Sequence, residues 1–140
     1  MRLVYCTFCA IFILNPIMAK PIDLGWRDLR KINLKTGKIP GELLSLQGKS
    51  HRIAGYVVPL LDFNWQNLNE FLLVPTPTAC IHTPPPPANQ MIYVRMQKGK
   101  SANFQYGEPV YIIGTLIFEK EKSPYGTVAI QMQGESTEKY

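Results

Sequence analysis

Apolar residues in this chain come in short runs cut by glycine and proline, and the runs carry the period of strands rather than of helices. His51-Arg-Ile-Ala-Gly-Tyr-Val-Val58 is rich in β-branched and aromatic residues and stops at Pro59, so it predicts a first strand. Gly55 inside it predicts a bulge or a sharp coil. A connection over residues 60–68 carries Phe63 and Trp65, and Glu70 to Val74 predicts a second strand. Met91-Ile-Tyr-Val-Arg-Met96 alternates apolar and mixed residues and predicts a half-buried third strand. Pro109 to Phe118 predicts the longest strand, again with a glycine, Gly114, in its middle. Lys120 to Lys122 with Ser123-Pro-Tyr-Gly126 predict a charged hairpin turn, Thr127 to Met132 a last strand, and the rest a polar tail to Tyr140.

Five strands, two of them interrupted by glycine, with no long helical pattern, predict a small all-β fold. Internal glycines let strongly coiled strands turn a barrel corner. A five-stranded, partly open barrel of the oligonucleotide/oligosaccharide-binding (OB) type fits best, and a small open β-sandwich is the alternative. Ahead of the barrel, Leu24, Trp26 and Leu29 are spaced to form a short clip against the body. Arg27, Arg30, Lys31, Lys35 and Lys38 make the same stretch the most basic in the chain and predict a solvated arm. The expected organisation is a basic arm over 20–50 and a barrel over 51–140, with 20–140 one folded unit.

Length agrees with that organisation, since 140 residues are one domain and bury a real but modest core. Charged residues at 18% and hydrophobic ones at 46% exclude a disordered or membrane-embedded composition. The N-terminus changes the expected compartment. Arg2, an apolar run over 3–14, a break at Asn15-Pro16 and a small residue at Ala19 read as a signal peptide over 1–19. The apolar run is shorter than the roughly 20 residues of a membrane-spanning helix. The expectation is a periplasmic protein with no transmembrane span after cleavage. Cys6 and Cys9 then leave with the peptide, so of three cysteines only Cys80 remains and no internal disulfide framework is expected.

Chemistry concentrates between Phe71 and Gln90. An apolar run ends at Pro75, Cys80 and His82 follow, then Pro84, Pro85, Pro86 and Pro87, then Asn89 and Gln90. In extended backbone, residues two apart share a face. A thiolate beside an imidazole suits zinc or copper, but two ligands make an incomplete site. The remainder would come from His51, from Met91, Met96 or Met132, from Asp62 or Glu70, or from a second molecule. The prolines pre-set an extended, stiff loop, which lowers the ordering cost of binding.

Three other readings stand beside the metal one. His82 would activate Cys80 as a nucleophile, with Asn89 or Gln90 as orienter, although no oxyanion hole is visible. Cys80 is equally a small core residue, with His82, Asn89 and Gln90 satisfying backbone groups. The proline run would dock a partner protein, as polyproline segments do. Nucleic acid is not expected as a partner. A net charge of +5 falls short of a strongly basic footprint, and export argues against it.

Several of these segments together resemble one family. They are Gly55-Tyr-Val-Val-Pro-Leu60, Glu70-Phe-Leu-Leu-Val-Pro75, Ala79-Cys-Ile-His-Thr-Pro-Pro-Pro-Pro-Ala-Asn-Gln90 and Tyr93-Val94. The sequence resembles the DUF3299 family of uncharacterised bacterial proteins over nearly all of residues 20–140. Leu24 to Leu29 and Val110 to Leu116 look like further segments of it. The chain departs from the family pattern at Thr76-Pro-Thr78 and at Thr83. The resemblance implies an exported, mostly periplasmic protein whose gene neighbours ABC-type export or metal-responsive systems, with an association with an ABC-type envelope system as the expectation, and it brings no activity. The expectation is a non-enzymatic accessory or binding protein with an envelope protein as partner.

Overall fold

The computed structural model describes residues 19–60, 62–77 and 84–140. The signal-peptide reading over 1–19, all but Ala19, and the pair Cys80 and His82 fall outside the described residues.

Among the described residues there are eight strands. They are β1 (Ile22–Asp23), β2 (Ser50–Pro59), β3 (Glu70–Val74), β4 (Ile92–Met96), β5 (Pro109–Ile117), β6 (Glu121–Ser123), β7 (Gly126–Val128) and β8 (Ile130–Lys139). Two short helices, α1 (Trp26–Leu29) and α2 (Gly41–Leu44), precede β2. Antiparallel ladders join β2 to β3, β3 to β4 and β5 to β8, while β4 and β8 run parallel. β2 then pairs with β5 from Ser50↔Thr115 to Tyr56↔Pro109 and closes the ring. The result is a closed five-stranded barrel of mixed strand direction. Full closure of the ladder goes beyond the partly open barrel expected and sets the sandwich alternative aside.

Alternation along the strands explains the core. In β2, His51, Ile53, Gly55, Val57 and Pro59 are buried while their neighbours are half-exposed, so one face of a period-2 strand lines the barrel. Phe71, Leu73, Ile92, Val94, Ile112, Leu116, Ile130 and Met132 complete the interior. In β3 the alternate residues Leu72 and Val74 are buried too, against Met91, Tyr93 and Val128, with Tyr56, Val58 and Tyr125 packed on them. The apolar run over 71–74 thus comes from a strand covered on both faces, the outer one by the β6–β7 hairpin.

The two internal glycines act differently. At Gly114 a side chain would collide with the Gln133 carbonyl, and the β5–β8 register shifts there, which is the expected bulge. At Gly55 the ladder is regular. A Cβ there would come within 2.8 Å of the Val74 carbonyl oxygen, so this glycine permits close approach of β2 and β3.

The polar tail expected after Met132 is instead strand. β8 runs on to Lys139 and pairs with β5 as far as Val110. Its outer residues are exposed, so nothing selects for apolar side chains there. The stretch over 20–50 forms the clip expected of Leu24, Trp26 and Leu29. β1 pairs parallel with β2, and Trp26 Nε1 donates to the Ala54 carbonyl at 2.6 Å. Leu24, Leu29, Ile32 and Leu43 join the barrel core, and the five basic residues of the stretch remain exposed.

Candidate functional site

The largest concentration of exposed aromatic side chains surrounds a cleft of about 300 Å³ at one end of β2. Tyr56 to Pro59 form its floor, with Val74 beside them. Asp62, Phe63 and Trp65 line it from the loop after β2, Thr76 and Pro77 from the loop after β3, Tyr106 and Gly107 from the loop before β5, and Tyr125 from the hairpin.

Local bonding fixes the two aromatic loops to each other. Phe104 N–H donates to the Trp65 carbonyl at 2.9 Å, and Leu68 and Ala102 exchange two backbone hydrogen bonds, each 2.9 Å. Asn67 N–H donates to Asn103 Oδ1 at 2.7 Å. Asp62 and Asn67 have φ of 47° and 55°, the left-handed region that Asp and Asn tolerate best among residues with a side chain. Phe104 in turn packs edge-to-face on Phe71 in the core, at 5.0 Å.

Trp65 is anchored against the main core and meets Tyr106 edge-to-face at 5.5 Å. Tyr125 donates its hydroxyl to the Pro59 carbonyl at 2.9 Å, which ties the hairpin to the rim. Phe63 and Tyr106 are each 72% exposed. Large aromatic faces left open to solvent around a concave surface are what a ligand-binding site requires. Barrels of the OB type take ligands on the face and loops that this cleft adjoins, a likeness of fold and no more.

The residues singled out in the sequence are placed as follows. Cys80 and His82 lie outside the described residues; Thr76 and Pro77, at the head of their loop, line the cleft. Pro84, Pro85 and Pro87 are exposed and Pro86 is half-buried. Pro87, at φ −56° and ψ 150°, has the polyproline conformation. The run ends in a single 3₁₀ turn, Ala88–Gln90, held to the barrel where Ala129 N–H donates to the Ala88 carbonyl at 2.9 Å.

Asn89 and Gln90 are buried, and their amides serve the interior. Asn89 Nδ2 donates to the carbonyls of Arg30 and Ile32 at 3.2 and 3.0 Å. Gln90 Oε1 accepts from Arg30 Nε at 2.9 Å, and its Nε2 donates to the carbonyls of Trp26 and Asn89 at 3.4 and 2.7 Å. They clamp the residues around α1 onto the barrel, the backbone-satisfying role among the readings above.

The side chains considered as further metal ligands do not gather. Among the described residues, no group of three or more His, Cys, Asp or Glu is placed to hold a metal ion. His51 is fully buried inside the barrel, five residues before Tyr56 and hence about 17 Å along the strand from the cleft. Its Nδ1 donates to the Lys49 carbonyl at 2.7 Å, while Nε2 has no partner. Burial holds its pKa below the usual imidazole value of 6.5. Met91 and Met132 are core residues, and Glu70 accepts from Tyr93 Oη at 3.0 Å and pairs with Arg95.

Sequence reasoning missed the cleft. It noted Phe63 and Trp65 only as passengers on a connection, and their one signal was large aromatic side chains in a loop without a strand to pack on.

The family model described as "Protein of unknown function (DUF3299)" matches residues 33–139. No curated protein matches the chain. Among solved structures, the chain is similar to a crystal structure of a DUF3299 family protein from Pseudomonas aeruginosa PAO1. The two are 28% identical, with 87% of this chain and 97% of that one covered and a TM-score of 0.68. Among the described residues, no helix is long and apolar enough to cross a membrane.

Proposed function

The chain belongs to the DUF3299 family, and from that premise we propose that it is an exported, non-enzymatic binding protein whose ligand sits in the aromatic cleft. The observation that carries the reading is the wall of Phe63, Trp65 and Tyr106, two of them largely exposed, around a concave floor. A volume of about 300 Å³ is at the lower end of ordinary ligand pockets, so the ligand is small or is one end of a larger molecule. The test is a fragment screen by ligand-observed NMR. Hits should concentrate in the cleft and vanish in a Trp65→Ala/Tyr106→Ala variant that still folds. Hits that survive in that variant would overturn the reading.

A finer reading adds a zinc or copper ion held by Cys80 and His82, supported by the same-face spacing that extended backbone would give them. Native mass spectrometry of protein purified without chelator tests it. A stoichiometric metal lost in Cys80→Ser would support it, and equal metal in wild type and variant would not. The proline run, exposed at Pro84, Pro85 and Pro87, supports a partner platform for an envelope protein. Replacing Pro84 to Pro87 should then abolish pull-down of that partner while the fold survives.

A further inference from the structure

Five aromatic residues line the cleft, and its charge is peculiar for this protein. The chain has 15 Lys and Arg against 10 Asp and Glu. Yet among the described residues no Lys or Arg lines the cleft, and the single charged lining residue is a carboxylate, Asp62. Among the described lining residues an anion would find five aromatic side chains, a carboxylate and no Lys or Arg. A cation would find the reverse of what the +5 net charge offers elsewhere.

Aromatic faces carry negative potential, and cations sit on them with a gain that grows as water is excluded. Tyr56, Phe63, Trp65, Tyr106 and Tyr125 supply such rings from four separate segments. The edge-to-face contact of Trp65 and Tyr106 sets those two rings at 73° to each other, so they form two walls of a corner rather than one flat stack. A corner of that kind fits a rounded group better than a planar one. Resting on the reading of the cleft as the ligand site, we propose that its ligand is a small organic cation of the methylated-ammonium class, with the rings around the onium head and Asp62 as counter-charge.

Calorimetric titration of the purified protein with choline, and with dimethylbutanol, its neutral isostere in which carbon replaces nitrogen, tests the charge directly. Choline should bind about tenfold more tightly than the isostere. Asp62→Asn should narrow that gap, and Tyr106→Ala should weaken both ligands. Equal binding of the isostere would overturn the cationic assignment while leaving the cleft a ligand site. No saturable heat with either ligand would also overturn it, and the fragment screen would still decide the cleft independently. Phosphatidylcholine vesicles separate the sources of the cation. Co-sedimentation that free choline competes away identifies a lipid headgroup, and choline binding without co-sedimentation identifies a free cation.

Discussion

Burial of His51 inside the barrel links its protonation to folding. The folded state holds the imidazole neutral because charging it there requires desolvation, so its pKa lies below that of the unfolded chain. Between the two values the unfolded chain binds the proton more readily, and stability therefore rises with pH. The contribution is complete above about pH 6.5 and is lost as pH falls through that window toward the depressed value. Urea midpoints measured from pH 5 to 8 should fall on acidification, and more steeply than in His51→Leu. Identical slopes would show that His51 is not the group responsible. Asn89 is the second residue that matters out of proportion to its size. Asn89→Ala leaves two backbone carbonyls without their donor and should lower stability by about 1–3 kcal/mol in chemical denaturation. The amides were legible as a pair that serves either backbone or partner. Which of these held was not, because the carbonyls of Ile32, Arg30 and Trp26 that they serve lie 57, 59 and 64 residues away in sequence.

Strands were legible wherever burial imposed a pattern. β3 was read at its full extent, Glu70–Val74, and β2, β4 and β5 to within a residue at either end, because their side chains face a core on at least one side. The second half of β8 was read as tail. Its pairing with β5 is made by backbone, and Gln133 to Lys139 carry polar side chains that satisfy exposure rather than packing. The β6–β7 hairpin was foreseen as a turn, although its work as a lid over Leu72 and Val74 was not. Tyr125→Phe removes the hydroxyl bond to Pro59 and should cost about 0.5–1.5 kcal/mol. A change near zero would mean that packing alone holds the hairpin. At the bulge, Gly114→Ala forces a methyl group toward the Gln133 carbonyl, and overpacking of that order costs about 1–3 kcal/mol. A thermal melt no lower than wild type would show that the β5–β8 ladder can slide to accept it.

Barrel closure is what creates a site from parts that say little alone. Tyr56 belongs to a strand, Phe63 and Trp65 to one loop, Tyr106 to another and Tyr125 to a hairpin, and only the ring β2-β3-β4-β8-β5 brings them to a common rim. The sequence pointed instead to the densest local chemistry, the segment from Cys80 to Gln90. Of that segment Cys80 and His82 lie outside the described residues, Pro84, Pro85 and Pro87 are exposed, and the buried amide pair is hydrogen-bonded to backbone carbonyls. The central claim is that the cleft is where a ligand binds. The chain has two tryptophans, Trp26 clipped to Ala54 and Trp65 in the cleft, so its indole N–H resonances are a built-in control and probe. With the two peaks assigned through Trp26→Phe, addition of choline or of fragment hits should shift the Trp65 peak in a saturable way and leave Trp26 unmoved. A Trp65 peak that stays fixed while ligand binds elsewhere would contradict the account.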